Sequence, residues 1–524
     1  MNGSRRIRFL AVLAVLGLLA SACGSTVNEA RRTEAARRNG TSGLGSSVAG
    51  GELGGDGGAD TGGGLATSGG GVSSGSGGTR TTGSGSAGTN TAGTKSGNTA
   101  LGPGVTATSI NIGLGFTVNG GAGNAAIGVK GVSTGDDKGE NQAVIDDINA
   151  HGGVAGRKLV PVWHPYDSTS TDSADVQEQK ACDDYTQDHK VFLAFDRGRD
   201  TFNQCMQARG SFNIAGGGIT DTAASTYKRF PYYVEISTLN LDRVAAIEPG
   251  TLNQEGYFAG WDANLGQAAA TKAKVGIITF DFPTFSHAVD QVMVPALRQI
   301  GHAPDPQDIR KVTWLQTNSD AGALAAAVSS AVLRFRQDGV THVIILDERA
   351  LVTLLFIREA NSQGFKPRYG LNTTNGVQVL VDGGNLNPAQ LNGALGMGWS
   401  PSFDITPSQN TDNGPYSNNA RRKCMALMKA KGFTFQDANA ESVALDICNQ
   451  LYFLQLAGNS VSGPLNRDTF IAAVNALGTR FENTGTFVNR FSATQHDGVA
   501  AVRQWKWDSG CSCGKYTSGN IDAP

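Results

Sequence analysis

From about residue 105 onward, short apolar runs alternate with longer stretches whose apolar positions recur at helical spacing. Ser109-Ile110-Asn111-Ile112-Gly113-Leu114-Gly115 reads as a buried strand running into a glycine-rich loop. Ala143, Val144, Ile145 and Ile148 then place one apolar face on a helix over 140–150, which stops at Gly152-Gly153. Strands are predicted at 158–163, 191–195 and 212–215, and helices at 175–188 and 202–209. A second series repeats the alternation, with strands at 275–280, 311–315 and 341–346 and helices at 285–300, 321–337 and 351–363. Alternation of this kind predicts an α/β fold whose parallel sheets carry helices on both faces. Ligands in such folds sit off the carboxyl ends of the strands. The loops that begin at Gly113, Asp196, Gly216, Asp281 and Asp347, and the segment near Asn372, are therefore the places to look for chemistry.

The first hundred residues follow another pattern. Arg5, Arg6 and Arg8 precede an apolar run from Phe9 to Ala20, and the small residues Ser21 and Ala22 lead into Cys23. This is the layout of a secretory signal over 1–23. The run is shorter than the roughly 20 apolar residues that a membrane span needs. Ser4-Arg5-Arg6 hints at a twin-arginine signal, but Phe9-Leu10 stands one residue late, which favours the general secretory route. The cysteine after small residues resembles the lipobox of bacterial lipoproteins, with Ala20 where leucine is usual, and this implies lipidation of Cys23. The alternative is an ordinary cleaved signal. Residues 24–104 are rich in Gly, Ser and Thr, and no aromatic residue occurs between Phe9 and Phe116. Such a segment buries too little apolar surface to offset its ordering entropy, so a disordered tether is expected. Its span would be roughly 50 Å. A fibrous or glycosylated stalk is the other reading of this composition.

Composition narrows the function. The formal net charge is −2, which gives no reason to expect nucleic acid as a partner. Cys182, Cys205, Cys424, Cys448, Cys511 and Cys513 make an even number in a chain expected to be exported, so disulfides are expected. Six cysteines allow 15 pairings; nearest-neighbour pairing is the simplest, and a bridge closing about 23 residues contributes roughly 3 kcal/mol in the chain-entropy model. Cys511-Ser512-Cys513 has a rival reading as a metal or redox site, but no His or second Cys cluster lies near it in sequence. There is no nucleophile elbow, zincin helix or phosphate loop with lysine. Gly113-Leu114-Gly115 does not extend to a dinucleotide fingerprint. Neither an enzyme nor a bound cofactor or metal is expected.

Several segments carry a family resemblance in a fixed order. They are Ile110-Asn111-Ile112-Gly113; Asn149-Ala150-His151-Gly152-Gly153-Val154-Ala155-Gly156-Arg157-Lys158-Leu159; Tyr166-Asp167-Ser168; Ala181-Cys182; and Lys190-Val191-Phe192. Asp281 to Gly301 and Gly485-Thr486-Phe487-Val488-Asn489-Arg490-Phe491 extend the series, with Ser286 where the family usually has Gly. The order resembles the branched-chain amino acid (Leu/Ile/Val) binding proteins of ABC importers, which are type I periplasmic binding proteins, across essentially all of 105–510. The resemblance implies two Rossmann-like lobes with parallel sheets, joined by a three-strand hinge. Lobe one would be 105–240 plus 375–485, and lobe two 241–374 plus 486–524. It implies a disulfide between Cys182 and Cys205. It also implies closure of the lobes on a solute, followed by docking on a membrane permease.

The candidate contacts are few. Thr117 and Asn119 follow the first strand and either meet a ligand or cap a turn. Asp196-Arg197-Gly198-Arg199 puts charge where related proteins present small residues, which makes a simple Leu/Ile/Val ligand doubtful; Asp196 would hold an ammonium or Arg197 an anion, against a plain salt bridge. Gly217, Gly218 and Thr220 occupy the position of the family's second carboxylate-binding loop. Asp281 with Phe282, Asp347 with Arg349, and Asn372 are the second-lobe candidates, with helix capping and core packing as the plain alternatives. Trp505 and Trp507 are expected to pack a sheet edge rather than bind a sugar. The expected protein is a monomeric, membrane-anchored receptor for an amino acid or similar small polar solute, delivering it to an ABC permease. A sensory receptor of the same fold, or a surface-interaction protein using its tether for reach, are the alternatives.

Overall fold

Two sheets divide the chain, and each draws on distant stretches of sequence. The computed structural model describes residues 100–196, 199–216, 222–317 and 320–524. The signal, Cys23 and nearly all of the expected tether lie outside the described residues, as do Arg197, Gly217, Gly218 and Thr220. The tether was expected to run to 104, yet Ala100–Gly104 is docked: Gly102 donates its N–H to Leu465 at 2.9 Å and Asn466 Nδ2 reaches the Ala100 carbonyl at 2.9 Å.

The first sheet comprises β1 (Ser109–Val118), β2 (Lys158–Asp167), β3 (Leu193–Phe195), β4 (Phe212–Ala215) and β5 (Val234–Glu235), ordered β2-β1-β3-β4-β5 with every pairing parallel. Ile110, Ile112 and Leu114 of β1 are essentially inaccessible, as a strand covered on both faces requires. Helix Asp137–Ala150 covers one face; it starts earlier than the apolar pattern indicated because the Asp136 carboxylate accepts from the Gly139 N–H. Helix Ala438–Asn459 joins the same core through Leu451 and Leu454.

A short hairpin, β6 (Trp261–Asp262) and β7 (Gln267–Ala268), precedes the second sheet. That sheet holds β8 (Val275–Asp281), β9 (Ile309–Thr313), β10 (His342–Ile345), β11 (Arg368–Asn372), β12 (Leu395–Gly398), β13 (Ala501–Asp508) and β14 (Cys513–Tyr516), ordered β14-β13-β12-β11-β10-β8-β9. β8 to β12 run parallel, and β13 and β14 are antiparallel additions. Trp505 and Trp507 lie in the core beneath β13, and Trp505 Nε1 donates to the Asp404 carbonyl at 2.7 Å.

The lobe boundaries need correcting. Val377, Leu380, Leu391, Met397 and Trp399 pack in the second core, and β12 pairs with β11, so the return to lobe one comes after Trp399 rather than at 375. β12 (Leu-Gly-Met-Gly) has too little apolar periodicity to show as a strand in the sequence. The last crossing is also later than 486, because Phe491 packs in the first core and Val499 in the second.

Three crossings therefore join the lobes, near 236–240, 400–418 and 484–499. Asn483 ties them together. Its Nδ2 donates to the Ile236 carbonyl at 3.1 Å and to Ser237 Oγ at 2.9 Å. Its own carbonyl accepts from Asn418 Nδ2 at 2.6 Å, and its Oδ1 accepts from Asn449 Nδ2 at 3.0 Å. Asp497 adds a second tie, taking Asn240 N–H and Nδ2 at 3.0 Å and Arg243 Nη1 at 2.6 Å.

The cysteines pair as nearest neighbours: Cys182–Cys205, Cys424–Cys448 and Cys511–Cys513. Among the described residues no group of His, Cys, Asp and Glu could hold a metal ion, and no helix is long and apolar enough to cross a membrane. Asn483→Ala would strand several buried backbone and side-chain groups at once. It is expected to cost roughly 1–3 kcal/mol, read as a lower urea midpoint.

Candidate functional site

The carboxyl ends of β1 to β4 open on a cavity of about 220 Å³. Gly115, Phe116 and Thr117 come from β1, Tyr166 from β2, and Phe195 and Asp196 from the end of β3. Asp137 and Asn141 descend from helix Asp137–Ala150, while Val443, Asp446, Ile447 and Gln450 face in from helix Ala438–Asn459. Two lining positions are crowded: a Cβ on Gly115 would stand 2.7 Å from the Tyr166 ring, and one on Gly216 would stand 2.7 Å from Gln450 Nε2 and force that side chain to shift.

The polar groups are set by short internal bonds. The Tyr166 hydroxyl donates to Asp196 Oδ2, and the Asp196 N–H donates to Asn213 Oδ1 at 3.0 Å. The Thr117 N–H donates to Asp137 Oδ2 at 2.8 Å. Burial raises the pKa of Asp137 despite that bond. Burial likewise pushes the Asp446 carboxyl up to about 7, against hydrogen bonds from Asn449 and Ser237. Behind Asp137, Glu140 is 1% exposed and is pushed up to about 8 by burial and then by the charges of Asp137 and Asp136.

Tyr166 also lines a neighbouring cavity of about 240 Å³ that lies between the lobes, with Asp167, Ala174 and Arg199 on one side and Leu315, Gln316 and Arg349 on the other. The lobes touch here. The Ala174 N–H donates to the Gln316 carbonyl at 3.1 Å, and the Arg199 guanidinium lies 5.1 Å from the Trp314 ring centre. Phe282 stacks on Trp314 with centroids 5.0 Å apart. A loop after the short helix Gly120–Ala126 reaches across as well: the Lys130 backbone exchanges two hydrogen bonds with the Asn385 amide, at 2.9 and 2.7 Å.

The expected contacts separate into groups. Thr117 and Asp196 line the first cavity. Phe282 lies at the cleft wall, lining a smaller cavity with Arg199 and Gln316. Asp281 is exposed on the last residue of β8. Asn119 is spent on Asp167, to which its Nδ2 donates at 3.0 Å. Asp347 and Asn372 are internal. Asp347 accepts from the Thr353 N–H and hydroxyl at 2.8 Å and from the Glu348 N–H at 2.7 Å, with burial holding it up at about 7. Asn372 caps its own turn and donates to Glu248 Oε2 at 3.2 Å. For these three the plain reading of capping and packing describes the geometry.

The sequence reading missed Asp137, Asn141, Tyr166 and Asp446. The Tyr166-Asp167-Ser168 segment was a signal for one of them, because it stands at the end of a strand. Asp446 offers no such signal, being one polar residue in a helix of 22 residues.

No protein-family model matches the sequence, and no curated protein matches it. Solved structures do match. A solute-binding protein of an ABC transporter from R. palustris, in complex with 4-hydroxybenzoate, aligns with a TM-score of 0.55 over 79% of this chain and 98% of its own, at 13% identity. The branched-chain amino acid transporter substrate-binding protein of Streptococcus pneumoniae, in complex with isoleucine, gives 0.52 over 79% and 100% at 13% identity. A fatty acid transporter substrate-binding protein from Thermomonospora curvata gives 0.51 over 81% and 95% at 15% identity. The fold is that of the type I periplasmic binding proteins. The matched proteins are binders of solutes rather than enzymes, and their ligands differ in kind, so the type I fold does not choose the ligand.

The raised carboxyls give a pH dependence with a definite sign. At Glu140 the folded chain keeps a proton that the unfolded chain has released, so its contribution is complete at acid pH and is lost as pH rises toward about 8. Glu248 and Glu255 are pushed the same way, to about 8, chiefly by burial. The melting temperature is expected to fall from about pH 5 to about pH 8, the range in which the folded chain holds protons that the unfolded chain has released. Glu140→Gln is expected to remove roughly 1 kcal/mol of that fall, measured by melting curves across the range.

Proposed function

We propose that this chain is an extracytoplasmic solute receptor, closing two lobes on an amino acid or similar small polar molecule and presenting it to an ABC permease. One observation carries the reading. The pocket at the carboxyl ends of β1 to β4 shares Tyr166 with a cavity walled by both lobes, so a bound molecule would touch the two bodies that the hinge allows to move. Binding energy that differs between open and closed arrangements is what would drive closure. The basic residues, apolar run and Cys23 support secretion and a lipid anchor on the outer face of the membrane, with the Gly/Ser/Thr-rich segment as reach. Loss of radiolabelled palmitate from Cys23→Ala, and its release from membranes, would test the anchor.

Thermal unfolding against a panel of amino acids, amides, carboxylates, amines and sugars tests the receptor reading. A solute at 100 times its Kd is expected to add about 2.7 kcal/mol; no shift with any class would count against it. Asn385→Ala, which removes the amide that clasps Lys130 across the cleft, is expected to leave the pocket intact and weaken affinity by a few-fold, because less of the free protein is closed.

A further inference from the structure

The walls of the lobe-one pocket are unusual in sign. Asp137, Asp196 and Asp446 all line it, and among the described residues no Lys, Arg or His does. Asn141 supplies an independent mark of a ligand. It lines the cavity and is 4% exposed; its Nδ2 is used on the Asp137 carbonyl at 2.8 Å, and its shielded Oδ1 has no hydrogen-bond partner among the described residues. A buried acceptor left in that state costs free energy unless something donates to it. The hydrocarbon of Phe116, Phe195, Val443 and Ile447 completes the lining.

We infer that this pocket seats a positively charged amine, held by Asp137, Asn141, Asp196 and Asp446, with its carbon chain leading past Tyr166 into the interlobe cavity. The inference rests on the receptor reading and narrows its solute to a cation. An ammonium brings three N–H donors and no acceptor, which matches a wall of acceptors. A carboxylate or phosphate would meet three carboxyls and an orphan carbonyl oxygen, with only neutral donors such as Thr117 and Gln450 to offset them. A neutral branched side chain would cover the apolar part but leave Asn141 Oδ1 unpaired. The raised pKa of Asp137 and of Asp446 fits the same picture, since a cation supplies the charge that burial denies them.

Isothermal titration of the purified full-length protein distinguishes the outcomes. The probes are putrescine, spermidine, lysine and arginine as cations, leucine, isoleucine and glutamine as neutral side chains, and glutamate and hydroxybenzoate as anions. Binding is expected from the cation set, with Asp446→Asn and Asp137→Asn each raising Kd at least about tenfold. Asn141→Leu, of similar volume but lacking the acceptor, is expected to weaken the same probes and serves if an Asp variant fails to fold. Tight binding of a neutral or anionic probe, unmoved by these substitutions, would overturn the cation assignment and leave the receptor standing. Heat from none of the three sets would overturn both together.

Discussion

Everything the two lobes can do depends on a small polar knot where three chain segments cross. Asn483 lies at its centre, donating to Ile236 and Ser237 on one crossing and accepting from Asn418 on another. A two-lobed body needs crossings that bend without separating. Hydrophobic packing alone is poorly suited to this, because it is non-directional and rewards a single collapsed mass. Directed bonds between side-chain amides and backbone hold the crossings in register while each lobe keeps its own core. The Asp497–Arg243 pair does the same on the lobe-two side, where both partners are largely shielded from water. Breaking such a pair costs far more than its formation contributes, so it acts as a positional lock.

The cleft inherits its chemistry from that arrangement. Parallel strands deliver their carboxyl ends to one edge, and the residues there differ from those of a simple apolar amino acid site. Tyr166 is the joint between the two cavities, because its ring covers Gly115 and its hydroxyl holds Asp196. Opposite it, Trp314 is held between Phe282 of its own lobe and Arg199 of the other.

Most elements of both βαβ series were legible because short apolar runs between glycines alternate with longer stretches of helical period. Phe212–Ala215 and Ala321–Gln337 lie where the pattern put them, whereas the strand that begins at Ser109 runs on to Val118, through the glycines that were expected to open a loop. β12 was invisible because two of its four residues are glycine. The helices at Asn419–Ala430 and Ala438–Asn459 that close lobe one come far along the chain from the sheet they cover, and only the family resemblance assigned that stretch to lobe one.

The sequence by itself determined the α/β class, the even cysteine count and the strand ends worth inspecting, while the pairing of the cysteines was settled by the structure. These are local properties: period, spacing and composition survive in one dimension. It did not determine which polar side chains face the same space. Asp347 and Asp196 look alike in sequence, each an acid just past a strand, yet one is consumed by Thr353 and the other lines a cavity. Asp446 reaches that cavity only because helix Ala438–Asn459 folds back over β1 to β4. Tertiary structure decided these roles, because burial and hydrogen-bond partners depend on which segments meet in space.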